Sequence, residues 1–89
     1  MNMDTNSKPT ALGMTAQFER VKHLAADQIG AAMLLTSACL NDGSLPDDDK
    51  ALRRVARLTA YKWGELRASL QSFFIVRDGV WKLPEAAKA

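Results

Sequence analysis

The most apolar block of the chain, Ile29-Gly30-Ala31-Ala32-Met33-Leu34-Leu35-Thr36-Ser37-Ala38-Cys39-Leu40, is apolar on nearly every face of a helix. That pattern belongs to an element buried centrally or sharing one face with a partner. Asp27 caps this helix or sits in its first turn. Asn41-Asp42-Gly43 stops it near Asn41, because glycine adopts a left-handed backbone at a helix end at low cost. Pro46 then restricts Leu45 to extended geometry. A second helix is expected from about Asp48 to Leu58, with Leu52, Val55, Ala56 and Leu58 turned inward. Asp47, Asp48 and Asp49 at its start and Arg53, Arg54 and Arg57 towards its end complement the helix dipole. Thr59 is the natural N-cap of a third helix from Ala60 to about Ser72. Trp63, Leu66 and Leu70 form its inward stripe, which runs on into Phe73 and Phe74, while Tyr61, Lys62, Glu65, Ser69 and Ser72 lie opposite.

The near absence of a linker between the second and third helices predicts a sharp helix-turn-helix. Next comes Phe74-Ile75-Val76-Arg77-Asp78-Gly79-Val80-Trp81-Lys82-Leu83, in which an Asp-Gly pair flanked by β-branched and aromatic residues specifies a two-residue hairpin turn of type I′. Helix, helix-turn-helix and hairpin, in that order, predict a mainly α fold with a small β-hairpin: a winged helix-turn-helix of three helices plus a wing. Strand alternation puts Trp81 with Gly79 and Leu83, on either the core or the wing surface. Upstream, Phe18, Val21 and Leu24 recur every three residues, as a short helix over 15–24 requires. Residues 1–14 have no apolar period and read as a flexible lead-in, so the domain is expected over 15–84, with a short tail over 85–89.

Eighty-nine residues with 47% apolar content suit one folded domain. No run approaches the roughly eighteen apolar residues of a membrane-spanning helix. Met1-Asn2-Met3-Asp4 has an acid and no apolar core, so no secretory signal is expected. The single cysteine, Cys39, forms no intramolecular disulfide, which fits a cytoplasmic setting.

The net charge of +2 conceals a division. Residues 1–49 carry three bases and seven acids, a balance of −4, whereas residues 50–82 carry eight bases and two acids, a balance of +6. The basic third of the chain points to a polyanion partner or to a solvated basic face.

Candidate chemistry is sparse. One histidine, His23, and one cysteine in an apolar helix supply neither a nucleophile with its base nor a zinc ligand set. Asp47-Asp48-Asp49 lacks the alternation of a calcium loop and reads as capping and dipole complementation. The five glycines are scattered, with no phosphate-cradling loop, so no cofactor is expected. Binding is the better reading. In a winged helix the second helix of the turn enters the major groove and the hairpin lies along the flanking backbone. The DNA-contacting residues would then be Thr59, Tyr61, Lys62, Arg67 and Ser69 on the third helix, Arg77 and Lys82 on the wing, and Arg53, Arg54 and Arg57 as phosphate contacts. Glu65 interrupts that face, and a local Lys62–Glu65 pair would explain both residues without DNA.

His23-Leu24-Ala25-Ala26-Asp27-Gln28-Ile29-Gly30-Ala31, Asp42-Gly43-Ser44-Leu45-Pro46-Asp47-Asp48-Asp49, Leu52-Arg53-Arg54-Val55-Ala56-Arg57, Trp63, Leu70, Phe73-Phe74 and Asp78-Gly79 together resemble the YdaU-like phage and prophage proteins, a domain-of-unknown-function family. The resemblance covers residues 23–83. It departs from the family pattern at Ala32, where the family has a tyrosine, and around Cys39-Leu40, where an aromatic often stands. It implies a winged-helix domain associated with phage replication or its regulation, and an extended or irregular approach over 15–24 in place of a helix. The expectation is a non-enzymatic protein that binds double-stranded DNA. The alternative is a small protein-interaction adaptor or inhibitor that engages a host protein complex or a second copy, through the apolar first helix or the acidic Asp47–Asp49 edge.

Overall fold

The structure, a computed structural model, describes residues 13–84. Of the expected lead-in over 1–14, residues 1–12 lie outside the described residues and Gly13 and Met14 open the first helix instead; the expected tail, 85–89, also lies outside the described residues.

The first element is a helix, α1, occupying 13–21 of the described residues. The periodicity reading of this segment holds, and the extended approach does not. The helix settles a different side from the one the spacing of three suggests. Val21 and Gln17 are fully buried, Leu24 packs at the edge of the core, and Phe18 stands 41% exposed. Gln17 can be buried because its polar ends are satisfied: Nε2 donates to the Phe73 carbonyl at 3.2 Å, and Oε1 accepts from Arg20 Nη1 at 2.7 Å. Arg20 also donates to the Phe73 carbonyl and lies over the Phe73 ring.

Helix α2 spans Ala26–Asp42, with Asp27 in its first turn. It ends at Gly43, whose φ of 87° is open to glycine at no steric cost and whose N–H donates to the Cys39 carbonyl at 2.7 Å. The sequence reading of a centrally buried helix holds for one side of α2. Ala31, Ala32, Leu35, Thr36 and Cys39 are buried, and α2 packs against both later helices. Thr36 is accommodated by donating its hydroxyl to the Ala32 carbonyl one turn back.

Strand β1, Leu45–Pro46, follows, then α3, Asp49–Ala56, and α4, Ala60–Gln71. Asp48 is the N-cap of α3, accepting from the Ala51 N–H at 2.9 Å. Arg57 closes α3 in the left-handed conformation, at φ 60°. Thr59 caps α4 as expected, accepting from the Lys62 N–H at 3.1 Å.

Strands β2, Ile75–Arg77, and β3, Val80–Lys82, form the hairpin. Its central residues Asp78 and Gly79 both have positive φ, 55° and 79°, as a type I′ turn demands. The sheet is three-stranded and antiparallel, in the order β1-β3-β2. The described residues therefore hold four helices and a third strand, where the sequence pattern predicts three helices and a bare hairpin. Pro46 explains the extra strand. The geometry it imposes on Leu45 suits pairing with Trp81, and an edge strand tolerates a residue without an N–H.

Register settles the hairpin faces. Ile75, Arg77, Val80 and Lys82 share the outer face, and Val76 and Trp81 share the inner one. Trp81 is fully buried against Phe74 and Trp63, with ring centroids 5.4 and 5.9 Å away. It belongs to the core.

Candidate nucleic-acid interface

Three consecutive aspartates at the start of α3 do three different jobs. Asp48 caps the helix. Asp47 accepts from the Trp81 indole Nε1 and from Arg67 Nη2, each at 2.9 Å. Asp49 accepts from the Trp63 indole Nε1 at 2.9 Å and from Arg67 Nη1. The Arg67 guanidinium, centred 5.5 Å from the Trp81 ring, thus bridges both carboxylates and covers the indole. A segment before α3, the middle of α4 and the central strand are joined by one charge-assisted network.

The network displaces its acids from their ordinary behaviour. The Trp81 indole N–H, then Arg67, hold the Asp47 carboxyl below the usual carboxylate range. Trp63, then Arg67, do the same for Asp49. Partial burial opposes the charge on Arg67, but hydrogen bonds to Asp47 and Asp49 outweigh it and raise its pKa.

Arg67 is therefore turned towards carboxylates rather than outward. Lys62 is also engaged: its Nζ lies 3.3 Å from Asp27 of α2 and 3.6 Å from Glu65. The hydrogen bond to Asp27 is the largest cause raising its pKa, followed by the charges of Asp27 and Glu65. The local Lys62–Glu65 pair exists, and Asp27, which sequence spacing gave no reason to place there, completes it.

The remaining candidates fall into two places. At the α3–α4 turn, Arg54 and Arg57 are exposed, and Arg53 is half-buried with Nη1 directed at the Leu58 carbonyl 3.5 Å away. Thr59 is occupied as a cap. Tyr61, on the first turn of α4, is 76% exposed, and Ser69 is half-buried further along the same helix. On the hairpin, Arg77 and Lys82 are exposed on the outer face beside Ile75, which is 41% exposed. Among the described residues Arg54, Arg57, Arg77 and Lys82 form no ion pair. Exposed Lys50, in the first turn of α3, is a further cation that the sequence reading did not select.

The sequence model of a protein family of unknown function, DUF1376, matches residues 14–87. The chain belongs to that family. No curated protein and no solved structure matches it.

In this DUF1376 chain the Leu-Pro-Asp-Asp-Asp segment has a concrete structural role: strand β1, two indole acceptors and a cap. Cys39 is buried beside the sheet, its Sγ 3.7 Å from the Trp81 carbonyl. Burial, then the nearby Asp42, push its thiol up to about 11, so it is protonated at neutral pH. His23 is exposed, with its ring 6.2 Å from that of Phe73. Among the described residues of this DUF1376 protein no three His, Cys, Asp or Glu side chains converge as metal ligands. No helix there is long and apolar enough to cross a membrane.

Proposed function

We propose that the chain is a winged-helix module that binds double-stranded DNA, with α3 and α4 as its helix-turn-helix and β2–β3 as its wing. The observation that carries this reading is the set of exposed cations without ion-pair partners among the described residues: Arg54 and Arg57 at the helix turn, and Arg77 and Lys82 on the outer face of the hairpin. The element order helix, strand, helix, helix, hairpin and the strand order β1-β3-β2 support it. Arg53 adds a half-exposed base at the turn, and Tyr61 and Ser69 line α4. Lys62 and Arg67 drop out of the contact set because carboxylates hold them. The setting proposed is replication or transcriptional control of the phage type that the YdaU-like resemblance implies.

Fluorescence anisotropy of labelled duplex and single-stranded DNA, from about 50 to about 200 mM salt, tests the reading. Salt-sensitive binding with a duplex preference is expected. Absence of binding at the lowest salt overturns it.

A protein partner is the second reading, and Tyr61 favours it: an aromatic ring left 76% exposed on a helix is a typical interface anchor. Tyr61→Ala would then abolish capture of that partner. The homodimer version through α2 has less apolar surface to use, since Ala31, Ala32, Leu35 and Cys39 are in the core and Met33 and Leu34 are left half-buried.

A further inference from the structure

We infer that the duplex is bound through its phosphates without selection of base sequence, an inference that rests on the DNA-binding reading above. Direct readout in the major groove uses side chains able to hydrogen-bond base edges, chiefly arginine or lysine to guanine and asparagine or glutamine to adenine. The exposed residues of α4 are Ala60, Tyr61, Gly64, Glu65, Ala68 and, just past its end, Ser72. None is of those four types.

The α4 side chains that are of those types are committed or retracted. Lys62 lies against Asp27 and Glu65, and Arg67 bridges Asp47 and Asp49. Gln71 is half-buried at the last position of the helix. Glu65, able in principle to accept from cytosine, shares the Lys62 ammonium. The outward surface is a ring, a bare backbone position at Gly64 with nothing within 4 Å of a would-be Cβ, the methyl groups of Ala60 and Ala68, and the Ser72 hydroxyl, which donates to the Ser69 carbonyl at 2.6 Å. Such a surface fits a groove by shape. The Tyr61 hydroxyl is one donor, and every base pair offers the major groove an acceptor.

The hairpin points the same way. Its strands are three residues long and its turn has two central residues, so it has no loop to insert between bases. Its tip is also fastened: the Asp47 N–H donates to the Gly79 carbonyl at 2.9 Å. Arg77 and Lys82 are thus presented from a fixed, flat face, a placement suited to a charged backbone.

The experiment is selection from a random duplex pool, followed by anisotropy on the selected duplex, its scrambled counterpart and an unrelated duplex. Affinities within about threefold of one another are expected, because each well-read base pair alone is worth about 1–3 kcal/mol. With four phosphate contacts, affinity falls on the order of a hundredfold between about 50 and about 200 mM salt. Arg54→Ala with Arg57→Ala, and separately Arg77→Ala with Lys82→Ala, each flatten the salt slope by about two units on every duplex alike. Enrichment of a motif bound about a thousandfold more tightly than its scramble overturns this inference and leaves the DNA-binding reading standing. Failure to bind any duplex at the lowest salt removes that reading, and this inference with it.

Discussion

The aspartate–tryptophan junction and the cationic rim draw on the same basic third of the chain and use it in opposite ways. At the junction, Arg67 meets two carboxylates, and two buried indoles donate to the same acids. At the rim, Arg54, Arg57, Arg77 and Lys82 face solvent and form no ion pair among the described residues. A charge balance of +6 therefore overstates what is open to a partner. Each cation's value for binding depends on the acid that tertiary structure brings to it, not on its neighbours in sequence.

The sharpest way to break this contrast is to attack the junction. Trp81→Ala removes a fully buried ring and should cost about 3–5 kcal/mol, read by urea denaturation. A smaller loss would mean that the junction is peripheral.

Acid titration comes next. Because the folded Asp47 and Asp49 carboxyls lie below their unfolded values, their contribution to stability is complete above about pH 4 and disappears as pH falls through the lowered folded values. Asp47→Asn should lower the denaturation midpoint at neutral pH and shrink its fall on acidification. An unaltered acid limb would show that Asp47 does not carry this dependence.

Thr59→Ala removes the cap of α4 for about 1 kcal/mol and separates capping from contact. If the duplex affinity of the folded variant also dropped more than about threefold, Thr59 would belong to the rim as well.

Gly64→Ala should stabilise by up to about 1 kcal/mol, since the added methyl meets open space and helical backbone freedom is reduced. Smallest of all is the effect on stability of truncating each rim cation, within about 0.5 kcal/mol per site, although under the proposed function these substitutions lower DNA affinity. A rim variant that unfolded readily would erase the distinction between the two regions.

Local chemistry made much of the fold legible. Gly43, Asp48 or its neighbours, Thr59 and Asp78-Gly79 announce their elements because capping and positive φ are decided by a few adjacent atoms. Helix α1 was half legible. Its period was visible, but its face was not, because burying Gln17 depends on a carbonyl at Phe73, far along the chain. The candidate site divides in the same manner. Exposure of Arg54, Arg57, Tyr61, Arg77 and Lys82 follows from helix and strand phase. The capture of Lys62 by Asp27, and of Arg67 by Asp47 and Asp49, is set by helix packing and has no local signal. Trp81 was ambiguous for a related reason: alternation assigns it to a face, and only the packing of Trp63 and Phe74 against that face makes it the interior.

The pairing of β1 with β3 ties the two ends of the helix pair together. Leu45 meets Trp81, and the Asp47 carboxylate reaches the Trp81 indole across a separation of 34 residues, enclosing α3 and α4 in a closed loop. In a chain with one cysteine, the strand pair holds shut a loop that other small domains close with a disulfide. A non-covalent closure has no hold on the unfolded chain, so its entropy is lost only on folding. Neither helix of the pair can swing away without parting the strands. The amides of β3 should therefore exchange with solvent only through global opening, making sheet and helices a single cooperative unit.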